Sequence, residues 1–127
     1  MEIAPGMTRT QTFTVEAAHT AAHIGSGDMQ VLSTPMMIAF MENTALQLMA
    51  EHLEPGFSSV GIHVDVRHLA PTLMGSQVQV TAAVQAVDGN KVTLAVEARE
   101  GEKLVGTGTH RRAIIDVARF LENIKVN

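Results

Sequence analysis

The sequence has no cysteine, no tryptophan and no tyrosine, and its aromatic rings are limited to four phenylalanines and six histidines. Without cysteine, the chain cannot form a disulfide framework, a thiol nucleophile or a Cys-ligated zinc or iron–sulfur site. So few aromatic rings leave little for nucleobases to stack on, and the formal net charge of −4 disfavours a general nucleic-acid binder. No apolar run approaches the ~20 residues that a bilayer-spanning helix needs. We therefore expect neither a nucleic-acid nor a membrane partner.

The length and composition suit one compact unit. A chain of 127 residues, 46% of them hydrophobic, is large enough to bury a core and too short for two ordinary domains. The first six residues lack the basic and apolar regions of a signal peptide. We expect a single domain over residues 1–127, in the cytoplasm.

The most distinctive segment is apolar from Met36 to Leu53. Ser33 or Thr34 can cap a helix there, Pro35 suits its first turn, and the sequence Glu-Pro-Gly at 54–56 ends it. Apolar residues cover nearly every face of this predicted helix, so we expect it to be buried.

The rest of the chain is predominantly of extended type. Alternating apolar and polar residues, many of them β-branched, predict strands at 8–15, 58–69, 77–84, 92–98 and 103–116. Turn signals at 88–90 and 100–102 join the later strands. Residues 16–33 are predicted to form a loop with one short helical turn, and residues 117–125 a short terminal helix.

Short turns favour antiparallel neighbours, so this order of elements predicts an α+β architecture. An antiparallel sheet would wrap around one long central helix, which is the hotdog fold. One such sheet cannot enclose an apolar helix alone. We therefore expect a homodimer, with a dimer of dimers as a further option.

Glu42 is the only charged residue between Met36 and Ala50. Burial of a carboxylate is costly unless it is paired or protonated. Glu42 could face solvent or a partner, satisfied by Asn43 or Thr44, or it could be a reactive carboxylate at the edge of an apolar pocket. Helix geometry places Thr34 ~12 Å along the axis from Glu42. If the two cooperate, a substrate or a second subunit must lie between them.

Among the six histidines, His68 has the most suggestive position. It follows Val64 and Val66 on the apolar side of the predicted 58–69 strand, facing the helix that carries Glu42, whereas His63 and Asp65 lie on the other side. His68 is either an ordinary core histidine or the partner of a working His–carboxylate pair. His19 and His23 are four residues apart but have no acidic ligand at a suitable spacing, so we predict no metal site.

Several motifs resemble the hotdog thioesterases of the fluoroacetyl-CoA thioesterase type. The resemblance extends from about residue 8 to residue 120 and rests on Thr34, Glu42 and His68 together with further matches. These are Leu-Glu-Pro-Gly at 53–56, Gly61, His-Leu-Ala-Pro-Thr at 68–72, Gly75, and Gly-Thr-Gly-Thr-His-Arg-Arg-Ala-Ile-Ile at 106–115.

The resemblance implies a homodimer that hydrolyses an acyl-CoA thioester to a free acid and coenzyme A, with no cofactor. Thr34 would place its hydroxyl at the reacting carbonyl, Glu42 would attack it or activate water, and His68 would orient and protonate. Gly61 would contribute its backbone near the thioester. Met36 and Phe40 would contact the acyl group. Arg111 and Arg112 would bind the coenzyme A phosphates. Residues 19–33 contain no phenylalanine, so a short or medium acyl group is expected.

Two other functions are compatible with the same fold. A non-catalytic acyl-CoA binding or sensor domain would bind the thioester without turnover. A hotdog enoyl-CoA hydratase or dehydratase would use a histidine with an acidic residue, but His63 and Asp65 are predicted to face away from the pocket. Free thiol released from acyl-CoA distinguishes the hydrolase from both alternatives.

Overall fold

The computed structural model describes residues 2–126 and shows one antiparallel sheet packed against one long helix. The strands are β1 (Thr8–Thr14), β2 (Phe57–His68), β3 (Gln77–Asp88), β4 (Lys91–Glu100) and β5 (Lys103–Asp116). The helices are α1 (Ala21–Ile24), α2 (Thr34–Ala50) and α3 (Val117–Val126), with a 3-10 turn at Ala17–His19. The predicted hotdog architecture, α+β, is confirmed.

The sheet order is β1-β3-β4-β5-β2, with every neighbouring pair antiparallel. Two tight hairpins join β3 to β4 and β4 to β5. Each contains a glycine with positive φ, Gly89 at 62° and Gly101 at 59°. Residues that have a Cβ atom rarely adopt this conformation. In this sheet order β1 and β2 are the edge strands. One edge of β2 is not covered by any described residue.

The core lies between the inner face of the sheet and α2. Ser33 caps α2 by accepting a hydrogen bond from the Met36 N–H, as its sequence position predicts, but the helix ends at Ala50 rather than Leu53. Its buried side chains pack on alternate residues of the central strands. Fully buried members of this core include Met37, Met41, Leu48, Met49, Val80, Val96 and Leu94.

A β-bulge in β2 changes which side chains face the helix. The register with β5 shifts between Gly61 and His63, so that Ile62 has no partner on β5. Ser59 and Gly61 therefore point to the inner face, whereas the alternation that places Val64 and Val66 there would also place Val60 and Ile62 there. Beyond the bulge, Val64, Val66 and His68 face inward, as expected.

Two further findings concern the described residues 2–126. None of their helices has the length and apolar character needed to cross a bilayer. No group of three or more histidine or acidic side chains within this range is arranged to hold a metal ion, and the chain has no cysteine.

Candidate active site

Thr34 and His68 form a direct hydrogen-bonded pair. Thr34 is the first residue of α2 and His68 the last of β2, and Thr34 Oγ1 lies 2.7 Å from His68 Nδ1. The pair borders a cavity of about 340 Å³ between the start of α2 and the segment after β2. The other residues of its wall are Ala21, Ser26, Val31, Leu32, Ser33, Leu69, Ala70 and Pro71. The cavity thus presents the Thr34 hydroxyl and the His68 imidazole on a wall that contains both polar and apolar residues.

The environment of His68 favours the neutral imidazole. Burial lowers the pKa of His68 below its ordinary value, and a hydrogen-bonding contact with the Ala70 backbone only partly opposes this. Nε2 is buried and has no hydrogen bond of normal geometry within residues 2–126. A neutral ring can accept a proton on one nitrogen and donate from the other. His68 can therefore exchange a proton with the Thr34 hydroxyl or with a reacting group.

Glu42 lies in a second polar group, against the backbone of β2. A Cβ atom built on Gly61 would lie 2.8 Å from Glu42 Oε2, 3.2 Å from His110 Cε1 and 3.5 Å from Arg112 Nη1. The missing side chain of Gly61 thus provides the space that the carboxylate occupies. Glu42 itself is half-buried, in contact with both protein and solvent.

Arg112 is the structural centre of this second group. The residue is 5% exposed, and its guanidinium donates to Ser59 twice, from Nε to Oγ at 2.8 Å and from Nη2 to the carbonyl oxygen at 2.9 Å. Burial lowers the pKa of Arg112, and the negative charge of Glu42 opposes that shift. Glu42 is therefore the anion whose charge favours the buried cation, although the two groups do not approach within the 4 Å of an ion pair.

His110 connects Arg112 to β2. Its Nδ1 lies 2.8 Å from the His63 carbonyl oxygen, which can only accept, so Nδ1 carries the proton. Nε2 then accepts from Arg112 Nη1 at 3.1 Å. Burial is the main cause that lowers the pKa of His110, which keeps the ring neutral. The result is a rigid donor chain beside the Glu42 carboxylate.

The two groups do not meet within one chain. Gly61 and His68 are separated by the length of β2 between them, roughly 20 Å. His68 bonds Thr34 rather than Glu42, so the predicted His68–Glu42 pair is absent from a single copy. Thr34 and Glu42 do not meet within one chain either, because they lie ~12 Å apart along the axis of α2.

Met36 and Phe40 lie on the other flank of α2, because each residue adds about 100° around a helix. Phe40 stacks on Phe13 of β1 with ring centroids 4.2 Å apart, and His19 packs edge-on against it at 4.9 Å. These side chains line a separate groove of about 680 Å³ that includes neither Thr34 nor Glu42. Within one chain, Met36 and Phe40 are therefore not part of the cavity at Thr34 and His68.

The two predicted phosphate-binding arginines point to opposite faces of β5. Arg111 pairs with His63 and lies half-buried on the outer face, while Arg112 points inward. The expectation that Arg112 reaches coenzyme A phosphates at a pocket mouth was wrong, because its guanidinium is buried and bound to Ser59 and His110.

Comparisons with known proteins agree with this fold. The family model described as fluoroacetyl-CoA-specific thioesterase matches residues 12–118. A curated relative from Streptantibioticus cattleyicolor, named fluoroacetyl-CoA thioesterase, is 39% identical over 97 residues, which cover 76% of this chain and 68% of that protein. The chain belongs to the fluoroacetyl-CoA-specific thioesterase family.

Solved structures of the family and of related proteins extend the comparison. A structure of the fluoroacetyl-CoA thioesterase FlK superposes with a TM-score of 0.91 at 31% identity, covering 100% of this chain and 98% of that one. A thioesterase superfamily member from Thermus thermophilus gives 0.89 at 28% identity, covering 98% and 92%. A hot-dog-like protein from Thermanaerovibrio acidaminovorans gives 0.87 at 27% identity, covering 94% and 89%. The prediction of a thioester hydrolase of this family is confirmed.

Sequence reasoning did not assign Ser59 and His110 to the site. His110 belongs to the family-like strand motif, but nothing in the motif shows that its ring is buried beside Arg112. The available signal was spacing: His110, Arg112 and Ile114 alternate along β5, so they share the face that packs on α2. Ser59 offered no signal, since only the bulge turns it inward.

Proposed function

We propose that this protein hydrolyses the thioester bond of short or medium acyl-CoA substrates, releasing a free acid and coenzyme A without a cofactor. The observation that carries the proposal is the 2.7 Å contact between the Thr34 hydroxyl and His68 on the wall of a cavity of about 340 Å³. A hydroxyl that is oriented by a neutral imidazole can donate a hydrogen bond to a developing oxyanion.

We further propose that the active site is completed in a homodimer formed along the open edge of β2. An uncovered edge of 12 residues presents unpaired N–H and C=O groups, and Ile62 and Val64 are exposed beside it. Two β2 strands that pair antiparallel around Asp65 set Gly61 of one copy opposite His68 of the other. The bulge at Ile62 makes this possible, because it brings Gly61 and His68 to the same face.

In this arrangement the Glu42 carboxylate of one subunit approaches the Thr34–His68 pair of the other. Directly paired residues in an antiparallel sheet are roughly 5 Å apart, close enough for one thioester to contact both groups. The substrate carbonyl would lie between Glu42 and the Thr34 hydroxyl. Glu42 and the Thr34–His68 pair, which lie far apart within one chain, can then act on the same thioester because they come from different subunits.

Two chemical routes fit the shared site. Glu42 can attack the carbonyl carbon, so that the C–S bond breaks and a mixed anhydride forms, which water then hydrolyses. Alternatively, Glu42 takes a proton from water, the hydroxide attacks the carbonyl, and the tetrahedral intermediate expels the thiolate. In both routes Thr34 donates to the carbonyl oxygen and His68 orients its hydroxyl. The thiolate becomes the thiol by taking a proton from solvent in the first route, and the proton that Glu42 removed from water in the second.

The size of the acyl group is inferred from the cavity and from relatives. One related structure contains fluoroacetate with coenzyme A and another contains acetyl-CoA, both in variants of FlK. Residues 19–33 of this chain contain no phenylalanine, and the cavity of about 340 Å³ accommodates small acyl groups. We propose a general short or medium acyl preference rather than selectivity for fluoroacetate. Arg111 as a phosphate ligand, a cytoplasmic location and a dimer of dimers remain predictions.

A panel of acyl-CoA esters with a thiol-reactive dye tests the function. We expect thiol release from the parent protein and a loss of about 100-fold or more in kcat for Glu42→Gln, because general base or nucleophilic action requires the ionised carboxylate. Glu54→Gln, at an exposed turn position, is the matched control. Saturable binding without thiol release would indicate the binding domain instead. Loss of enoyl absorbance without thiol would indicate the hydratase.

A further inference from the structure

Gly106 and Gly108 lie on β5 in the sequence Gly-Thr-Gly-Thr-His, and the site described above uses neither of them. Neither has a positive φ, so the backbone conformation at these positions is open to other residues. The two glycines differ in the group that lies where a Cβ atom would be. Each of them therefore makes room for a different neighbour.

Gly108 allows β2 and β5 to approach each other closely. A Cβ atom at this position would collide with the Asp65 carbonyl oxygen and lie 2.6 Å from Val66 Cα. Both are backbone atoms of the paired strand, which cannot move without disturbing the hydrogen bonds of the pair. The sheet itself therefore requires glycine at position 108.

Gly106 instead receives a side chain of α2. A Cβ atom at this position would overlap Met37 Sδ, and it would lie 2.9 Å from Met37 Cε and 3.1 Å from the Arg67 carbonyl oxygen. Met37 is 0% exposed, so its thioether is confined between the start of α2 and the backbone of β5. Met37 thus fills the space that a side chain at position 106 would need.

The contact between Met37 and Gly106 lies next to the Thr34–His68 pair. On the sheet side, Gly106 is the residue of β5 that pairs directly with His68. On the helix side, Met37 follows Thr34 by three residues and is its neighbour one turn along α2. How closely Met37 packs on Gly106 therefore sets how closely the first turn of α2 approaches the end of β2.

We propose that Met37 and Gly106 are positioning residues for the thioester hydrolysis proposed above, on which this inference depends. Their contact holds the Thr34 hydroxyl at hydrogen-bonding distance from His68. Met37 is fully buried and Gly106 has no side chain, so both act through the Thr34–His68 pair rather than on the substrate. Because misplacement of a reacting group by about 1 Å can lower a rate by about 100-fold, the contact controls kcat.

Gly106→Ala tests the contact in the whole protein. With the acyl-CoA ester that the parent hydrolyses best, we expect kcat to fall about tenfold or more and KM to change by less than about twofold. Adding Met37→Val, which removes Sδ and Cε, should recover part of the loss because the new methyl group occupies their space. The same addition should not rescue Gly108→Ala. Val84→Ala, a buried truncation on β3, controls for lost stability and should keep the parental kcat.

The Thr34→Ala background separates positioning from a general structural effect. A protein that lacks the Thr34 hydroxyl has no hydrogen-bonded pair left to displace, so Gly106→Ala should lower its remaining kcat by less than about twofold. A further loss as large as that in the parent protein would mean that Gly106 acts by another route, which overturns the proposal.

The ring signals of His68 test the contact without turnover. The nitrogen NMR resonances of the imidazole report its hydrogen bond to Thr34, and Thr34→Ala gives their values without it. Gly106→Ala should move them in the same direction, and the added Met37→Val should return them towards the parental values. Met37→Val alone introduces no clash and should also move them, so it carries the test if Gly106→Ala does not fold.

Resonances of His68 that stay at the parental values in every folded variant of Met37 or Gly106 overturn the contact. Resonances that respond as expected in a protein that releases no thiol from any acyl-CoA would contradict the proposed function and not the contact. The two failures are therefore distinguishable.

Discussion

Thr34 and His68 lie 2.7 Å apart, oxygen to nitrogen, and this contact joins the first turn of α2 to the last residue of β2. Neither residue is near the other in sequence, so the fold creates the pair. The hydroxyl is held at a helix start, where the helix dipole favours negative charge. An oxyanion that forms beside Thr34 is therefore stabilised by both the side chain and the helix.

The first prediction concerns the Thr34 hydroxyl. Thr34→Ala removes the donor and should lower kcat by about 100-fold or more, as is typical for loss of an oxyanion donor. Thr34→Ser keeps the hydroxyl and should retain most of the activity. Steady-state thiol release measures both variants. Equal activity of the alanine and serine variants would mean that the hydroxyl has no part in the reaction.

Gly61 provides a test of the carboxylate position. Gly61→Ala would place a Cβ 2.8 Å from Glu42 Oε2 and 3.2 Å from the His110 ring, so Glu42 must move. Because the φ of Gly61 is not positive, the expected effect is displacement rather than backbone strain. We expect a large fall in kcat. Adding Glu42→Gln to this variant should cause no further fall, since both changes disable the same group; fully additive losses would contradict this.

The two neighbouring arginines of β5 should behave differently on substitution. Arg112→Gln leaves Ser59 and His110 without their buried donor and should lower the free energy of unfolding by about 2–4 kcal/mol. Arg111→Gln, on the outer face, should change it by less than about 0.5 kcal/mol. Urea denaturation followed by circular dichroism measures both. Similar stability losses in the two variants would refute the assigned orientations.

Stability should depend on pH through the buried histidines. Burial lowers the pKa values of His68 and His110 below 6.5 in the folded state, whereas the unfolded chain titrates near that value. Between the folded pKa values and 6.5, the unfolded state binds more protons, so the free energy of unfolding falls as the pH is lowered through this window. Above 6.5 these groups contribute no pH dependence. Denaturation at several pH values should show this slope, and His68→Gln should reduce it while His23→Gln, at an exposed position, should not.

Much of the fold follows from the sequence because its periodicities are strong. Alternation defines all five strands, and the uninterrupted apolar segment after Ser33 defines the helix that the sheet covers. The inward direction of His68 also followed from counting along β2. Simple alternation failed at Ser59 and Gly61, because a bulge at Ile62 inserts one residue, and no local signal marks a bulge.

The candidate site could be predicted only as a set of residue types. Thr34, Glu42 and His68 were identified, but their pairing depends on distances along α2 and β2 that no motif encodes. The buried Arg112 illustrates the limit: its charge suggested a phosphate ligand, whereas its place on the inner face makes it a partner of Ser59 and His110. Met36 and Phe40 were likewise expected to contact the acyl group, although within one chain the helix turns them to its other flank.

Complementation between inactive variants tests the shared active site most directly. Thr34→Ala and Glu42→Gln dimers, each inactive, are mixed under conditions of subunit exchange, with two affinity tags to confirm that mixed dimers form. If each site combines Glu42 of one subunit with Thr34 and His68 of the other, a mixed dimer contains one intact site. Random exchange should then restore about a quarter of the parental thioesterase activity. Confirmed mixed dimers that release no thiol from acyl-CoA would contradict the account.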